Sequence, residues 1–568
     1  MGYNYKLYDV PKISSIQDMI IQSSGKYTNK LAMEDLGETS IPRVTYGQLL
    51  DLILKFGGAL RKIGIEERKH IALISENRVQ WGITYLTSAM FNYVIVPIDK
   101  NLSSNEILNI IHESDSEVIV FSDSYSQLFT EARSSLKRVK HYISMDLKEE
   151  KDGVLSMSSL ISSALPVSTA IIPKINPEEL FEIIFTSGSL GRAKGVMLSQ
   201  KNISENLMGM CSMIYIGPSD KFLSVLPIHH TYECTCGFLC PLYSGASVSF
   251  AKSLKTVVED LVRVKATVLL AVPLLYDKMF KRIYKTIMDN KVKSKIVPPL
   301  VKISNIFEMI GWKSVKKKIF AEIHLRFGGS IRIFIAGGAA PDPKVAKGLR
   351  EFGFTFVQGY GLTETSPISA LNRLDNFKDD AAGLPLPNTE VKIDDPDNDG
   401  VGEVLIKGKH VMLGYYKNEK LTKDSIVDGW FRSGDLGSFD KDGFLHIRGR
   451  KKNVIIANNG KNVFPEEIED VLNRSPFVLE SLIYGEQDTK HHEIIAAKIV
   501  IDGEAFIELA EKMNAKITEE LINTTISDVI KEANKQLASF KQIKKFYIRE
   551  NEFEKTTTQK IKRYLVNN

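Results

Sequence analysis

From Thr45 onward, stretches with apolar residues at every third or fourth position alternate with short continuous apolar runs. This spacing predicts helices over Tyr46 to Ile63, Trp81 to Phe91 and Ser104 to His112, and strands over His70 to Ile74, Val94 to Val96 and Val118 to Phe121. Strands alternating with helices of about ten residues or more read as βαβ units around a mostly parallel sheet, because a parallel crossover needs that much chain. A second such stretch runs from Ser204 to Val272 and includes the strand-like Val268 to Val272; a third surrounds Ile331 to Ala336 and Thr355 to Val357. After about Asp380 the pattern changes to short strands with turns at Asp397 to Gly400, Asp428-Gly429 and Asp442-Gly443, as in a β-rich subdomain. A basic, polar stretch then leads into mixed helix and strand patterns. The expected fold is α/β. A large N-terminal domain over residues 1–449 holds two βαβ-layered subdomains and the β-rich subdomain, and a small α+β domain covers 450–568, with a hinge between Gly449 and Asn453.

Two uncharged runs, Val79 to Ile98 and Cys234 to Ala251, approach membrane-spanning length. Both carry Gln, Asn, Ser, Thr, Gly or Pro throughout, so they are expected to be buried core. The whole chain, 568 residues with 43% hydrophobic and 25% charged residues, has the composition of a globular protein and excludes collagenous, disordered and small disulfide-stapled classes. A net charge of +5 is too small to mark a nucleic-acid binder. Charge is instead concentrated locally. Between Lys278 and Lys318 twelve Lys or Arg face only Asp289 and Glu308, interleaved with Ile283, Tyr284, Ile296, Val297, Ile306, Phe307 and Trp312. Such a segment is either a solvated face of helical hairpins or a peripheral contact for an anionic membrane.

The four cysteines, Cys211, Cys234, Cys236 and Cys240, are too few and too clustered for a disulfide framework, which points to a reducing compartment. The N-terminal MGYNYKLYDVPK has no apolar signal-peptide core, and Lys6 stands where a myristoylation signal wants Ser or Thr. A cytoplasmic location is expected, with attachment to the inner membrane face through residues 278–318 as the further reading.

Four motifs carry candidate chemistry. IIFTSGSLGRAKGV, from Ile183 to Val196, is an apolar strand, a loop of Gly and hydroxyls, and Lys194. Glycines admit phosphate oxygens to backbone N–H groups, hydroxyls add donors and Lys194 adds charge, so the loop can cradle phosphate. It does not fit the G-x-x-x-x-G-K-[ST] loop. In QGYGLTETSP, from Gln358 to Pro367, Thr363 beside Glu364 suits Mg²⁺ held against polyphosphate oxygens, and Tyr360 offers a flat face for a base. From Gly429 to Ile455, Asp435 can accept from two ribose hydroxyls and Arg450 can reach a ribose or phosphate. Near the C-terminus, EKTTTQKIKRY sets Lys560 among hydroxyls and bases. Taken singly, these are also readable as a Gly/Ser turn, a strand exit, a hairpin with an ion pair and a solvated basic tail.

Together, in this order and at these separations, the four motifs resemble the adenylate-forming superfamily over nearly the whole chain, from about Thr45 to Arg563. The ending Thr558-Gln559-Lys560-Ile561-Lys562-Arg563 is most similar to the T-x-K-x-K-R of long-chain fatty acyl-CoA synthetases. The resemblance implies ATP-dependent conversion of a carboxylic acid, a medium- to long-chain fatty acid, to acyl-AMP with release of pyrophosphate. Transfer to CoA would follow, or, as the alternative, loading of a separate acyl carrier protein. ATP, Mg²⁺ and CoA are the implied cofactors, and nucleic acid is not a partner. Thr186, Ser187, Gly188, Ser189, Gly191 and Lys194 match the loop that holds the ATP β- and γ-phosphates, with Ala193 in place of a usual Pro. Gly337, Gly338 and Ala339 resemble the stretch passing the adenine, and Gln358, Gly359 and Tyr360 complete that pocket. Thr363 and Glu364 match the phosphate and Mg²⁺ pair, Asp435 the ribose ligand and Arg450 the basic residue before the hinge. Lys452 falls at the hinge itself, Gly460 in a loop facing the CoA pantetheine, and Lys560 at the adenylation lysine; rotation about Lys452 makes the small domain mobile.

His230, in LPIHHTYE, resembles the family histidine beside the acyl pocket. Read without the family, HH-x₃-C-x-C-x₃-C from His229 to Cys240 also has the ligand types of a soft-metal cluster, although its spacing matches no common zinc module and its flanks are apolar.

Overall fold

The computed structural model describes residues 5–165, 167–169, 172–186, 193–312, 315–457, 461–487, 493–555 and 561–565. The chain divides into two compact units, residues 1–391 with 406–431, and residues 392–405 with 432–568.

The first unit is built on two sheets. In one, six parallel strands lie in the order Leu31–Asp35, Ser247–Phe250, Lys221–Ser224, Val268–Ala271, Ile333–Ala336 and Thr355–Gly361. Antiparallel Arg43–Thr45 edges it on one side, Ile368–Leu371 and Leu384–Pro385 on the other. In the second sheet the parallel order is Leu155–Ser156, His141–Ser144, Val118–Phe121, His70–Ile74, Val94–Pro97 and Leu180–Thr186, followed by antiparallel Lys194–Ser199 and Gly414–Tyr415. Val94–Pro97, Val118–Phe121 and Val268–Ala271 are buried at every position, which is why they read as continuous apolar runs and not as alternations.

The helix Tyr46–Lys62 follows its sequence signals: Thr45 and Gln48 form a capping box, Leu49, Ile53, Phe56 and Leu60 turn inward, and Arg61 and Lys62 close the last turn. The helix Val79–Met90 lacks such signals, and all twelve of its positions are buried. Its N-terminus is capped from the other sheet, where the Asp35 carboxylate accepts the Val79 N–H at 3.0 Å. Burial pushes Asp35 up to about 6 despite these bonds. The helix starts two residues before the expected Trp81 because that cap is tertiary, not local. Both uncharged runs are core, and among the described residues no helix is long and apolar enough to cross a membrane.

The β-rich region expected after Asp380 holds strands Thr389–Asp394, Gly402–Gly408, Trp430–Phe439 and Leu445–Arg450. In the second unit Val478–Gln487 pairs antiparallel with Glu493–Ile501, which pairs parallel with Ile543–Arg549. Helices Pro465–Leu472 and Glu519–Gln536 cover this sheet through Ile468, Leu472, Ile526 and Ile530, giving the expected α+β body its own core. Lys452 lies in the 3₁₀ turn Lys451–Asn453, directly after Leu445–Arg450.

Candidate active site

Within the first unit, the strand Leu180–Thr186 turns back into Lys194–Ser199 with Thr186 opposite Lys194, so the two residues bracket the glycine-rich loop at its base. Ser187, Gly188, Ser189 and Gly191 themselves lie outside the described residues. Beside Lys194–Ser199 runs Gly414–Tyr415, with Tyr415 opposite Val196. That register places the Lys194 ammonium 5.5 Å from the Tyr415 ring centroid, a cation–π distance. The Tyr415 hydroxyl donates to Glu364 Oε1 at 2.9 Å, and the Glu364 carbonyl accepts the Met412 N–H at 2.8 Å. A cation, an aromatic hydroxyl and a carboxylate from three separated chain segments thus form one array. Thr363, in the same 3₁₀ turn as Glu364, reaches the Thr231 hydroxyl at 3.5 Å.

Thr231 introduces the eight-residue π-helix Tyr232–Leu239, buried throughout. His230 precedes it, and His230 Nδ1 accepts the Tyr232 N–H at 3.3 Å. His229 Nε2 lies 3.5 Å from Asp99 Oδ2. Among the described residues, which include His229 to Cys240, no group of three or more His, Cys, Asp or Glu is arranged to hold a metal ion. All four thiols are buried. Tyr232 donates to the Ile335 carbonyl at 3.2 Å, and its ring lies so close to Gly337 that a Cβ there would sit 2.6 Å from it. Glycine at 337 is therefore required by close approach. Gly338 has φ +85°, in the left-handed region, and Ala339 follows in the turn after Ile333–Ala336.

The Gln358 side-chain amide donates to the carbonyls of Asp379 and Ala381 at 2.9 and 2.8 Å. It braces that loop against Thr355–Gly361, on which Gly359 and Tyr360 pair with Leu371 and Ala370. Between the helix Gln200–Met213, the π-helix and the ends of Val268–Ala271 and Ile333–Ala336 lies a cavity lined by Met, Cys, Ile, Leu, Phe, Ala, Gly and Tyr side chains, with no charged group. Ala336 and Gly359 are part of its wall.

In the second unit Asp435 and Arg450 are direct cross-strand partners. Arg450 Nε lies 2.8 Å from Asp435 Oδ1, and its Nη1 donates to the Ser433 carbonyl at 3.0 Å. The plain hairpin with an ion pair is therefore present, and it holds the carboxylate in a fixed orientation. Gly460 and Lys560 lie outside the described residues.

Sequence reasoning missed Tyr415 and Thr231. Tyr415 had one signal, the glycine before it: Gly414 has φ +139°, and a Cβ there would strike Thr422 at 2.6 Å. Also missed were Glu182 and Glu233, both 1% exposed, whose carboxyls burial pushes up to about 8. Glu182 accepts from Tyr85 at 3.3 Å.

The chain matches the model of the AMP-binding enzyme family over residues 22–416 and that of the AMP-binding enzyme C-terminal domain over 467–560. It is 26% identical over 565 residues to the long-chain-fatty-acid--CoA ligase FadD15 of Mycobacterium bovis, covering 92% of this chain and 90% of the relative. It is 27% identical over 555 residues to the chloroplastic long-chain-fatty-acid--[acyl-carrier-protein] ligase AEE15 of Arabidopsis thaliana, covering 85% and 76%. Among solved structures, the anthranilate CoA ligase AuaEII in complex with anthranoyl-AMP superposes with a TM-score of 0.78 at 20% identity, over 98% of each chain. With its two-sheet first unit, its α+β second unit and both family models in register along it, the chain belongs to the AMP-binding enzyme family.

Proposed function

We propose that the chain joins a medium- to long-chain fatty acid to CoA in two steps. The acid carboxylate attacks the α-phosphorus of ATP, the bond to pyrophosphate breaks, and the CoA thiol then displaces AMP from the acyl carbonyl. The observation that carries this reading is the uncharged cavity, because two of its wall residues, Ala336 and Gly359, immediately precede Gly337 and Tyr360 of the stretches that resemble the adenine pocket. An apolar acyl chain there would end beside the nucleotide. The FadD15 relative supports the same substrate class.

Bringing a carboxylate to a polyphosphate opposes like charges, so the protein must supply positive charge and donors. Lys194 and the loop from Thr186 would do so at the β- and γ-phosphates, and Lys560 at the carboxylate and α-phosphate. Glu364 and Thr363 are hard oxygen donors suited to Mg²⁺, which when bound would neutralise polyphosphate charge. Tyr415 keeps the Glu364 carboxylate oriented. His230 would border the acyl end, and Asp435, held by Arg450, would accept the ribose hydroxyls. Lys560 and Gly460 follow one hinge at Lys452 yet would serve different half-reactions, so turning about that hinge would exchange them. The AEE15 relative favours a carrier protein as a second acceptor. Pyrophosphate release across acids from acetate to palmitate, with and without CoA, tests the reading. Release that peaks with a long acid and turns over only with CoA is expected; release that peaks with acetate, or stops near one turnover with CoA present, overturns the substrate or the acceptor.

The basic segment carries a second part of the proposal, peripheral docking on an anionic membrane. The helix Lys293–Met309 packs Val297, Leu300 and Val301 on the core, while Val292, Ile296, Ile303, Ile306 and Ile310 form an exposed stripe on another face. Met309 and Trp312 beside it are 87% and 62% exposed. Apolar side chains of this size surrounded by lysines fit an anionic bilayer surface, where the stripe is buried and the charges meet phosphate headgroups.

A further inference from the structure

Four sulfur atoms line the apolar cavity from two facing elements. Met210 and Cys211 project from the helix Gln200–Met213, and Cys236 and Cys240 from the π-helix and the short α-helix Cys240–Ser244 that continues it. They meet in two cross-element pairs: Cys211 Sγ lies 3.5 Å from Cys240 Sγ, and Cys236 Sγ lies 3.4 Å from Met210 Sδ. Cys234 stands apart from the cavity wall, facing Tyr85 and Glu182. We propose that Cys211 and Cys240 are a dithiol modification site opening on the cavity, closed to a disulfide by apolar hydroperoxides that enter it.

A disulfide needs its sulfurs at about 2.05 Å, so the pair must close by roughly 1.5 Å, within the reach of side-chain rotation. The step balances with one hydroperoxide. One thiol sulfur attacks the terminal peroxide oxygen, the O–O bond breaks and the thiol proton leaves with the alcohol, giving a sulfenic acid. The second sulfur displaces that oxygen, which departs as water with the second thiol proton. Both thiols are oxidised, and the hydroperoxide is reduced to an alcohol and water. The choice of oxidant follows from the lining. Glutathione disulfide would have to bring its charges into an uncharged space, which the lining disfavours. A hydroperoxide on an apolar chain partitions into the cavity and is concentrated beside the pair.

The test treats the full chain with cumene hydroperoxide or with glutathione disulfide, then titrates thiols after denaturation and maps linked peptides. Cumene hydroperoxide should reduce the count from the four free cysteines to two and link Cys211 to Cys240, with dithiothreitol restoring all four. Cys211→Ser and Cys240→Ser should each form no such link, the variant that keeps the attacking thiol stopping at a sulfenic acid that dimedone labels, and Cys234→Ser should still form the link. Four surviving thiols, or oxidation that falls on Cys234 or Cys236 without a link, would overturn the proposal. Its consequence for catalysis rests on the cavity holding the acyl chain. The linked protein should lose turnover of long acids at least tenfold and regain it on reduction. A protein that links but shows no acid-dependent turnover before oxidation keeps the dithiol and discards that reading of the cavity.

Discussion

Cys234 to Ala251 and Lys278 to Lys318 invert the usual reading of charge along a chain. The first has no charged residue and lies almost wholly inside; the second is the most basic part of the sequence, yet nine of its large apolar side chains are exposed among the described residues. The difference is one of faces. In the first run the π-helix is covered on all sides, with Phe238 edge-on to Trp81 and Tyr85. In the second, the helix Lys293–Met309 is apolar on two faces and the unit covers only one of them. Mean hydropathy therefore does not locate a segment; the number of apolar faces and the partners available to cover them do.

The interior half of this contrast is tested most severely by Phe238→Ala, which should lower unfolding free energy by about 3 to 5 kcal/mol in urea titrations. A loss under about 1 kcal/mol would mean the run is not tightly covered. Its carboxyl neighbours sharpen the same point through pH. Glu182 and Glu233 rise from an ordinary value of 4.5 to about 8 in the folded chain, so between those values the folded state keeps protons that the unfolded state releases. Stability should fall as pH rises across that window and level off above it, by at most about 1.4 kcal/mol per pH unit for each group. Glu182→Gln and Glu233→Gln should each flatten the fall; slopes parallel to that of the unaltered protein would contradict the burial assigned to them.

At the site, Lys560→Ala should slow acyl-AMP formation by about 10² to 10³ while sparing thioester formation from supplied acyl-AMP. Lys452→Pro should do the reverse, and equal loss of both half-reactions in each variant would refute the exchange about Lys452. A smaller effect belongs to Tyr415→Phe, which keeps the ring beside Lys194 and removes the bond to Glu364: about tenfold in adenylation rate, near the 1 to 1.5 kcal/mol of one hydrogen bond. The surface half of the contrast carries the least energy. Ile303→Glu with Ile306→Glu should change stability by less than about 0.5 kcal/mol per site, yet abolish sedimentation with phosphatidylglycerol vesicles at low salt. Sedimentation that persists, or a shift from dimer to monomer in light scattering, would assign the stripe to something other than lipid.

Most of the fold was legible in the sequence where local rules decide. Tyr46–Lys62, His70–Ile74 and Val118–Phe121 fall within a residue of their expected spans because caps and apolar runs fixed their ends. Val79–Met90 was less legible, since its cap comes from Asp35, forty-four residues earlier. The motifs exposed Lys194, Glu364, Asp435 and Arg450, and the hairpin with an ion pair was readable from the last two, but Tyr415 was not. Tyr415 joins Lys194 to Glu364 only through strand register. Such partners depend on tertiary pairing, and no short motif carries it.

The most direct test of the central claim is to incubate the protein with ATP labelled at the α-phosphate, Mg²⁺ and palmitate without CoA, and to identify the labelled product by mass spectrometry. An acyl-AMP mechanism predicts palmitoyl-AMP, formed with one pyrophosphate and consumed on addition of CoA to give palmitoyl-CoA and AMP. Labelled ADP, or AMP formed at the same rate without the acid, would contradict it.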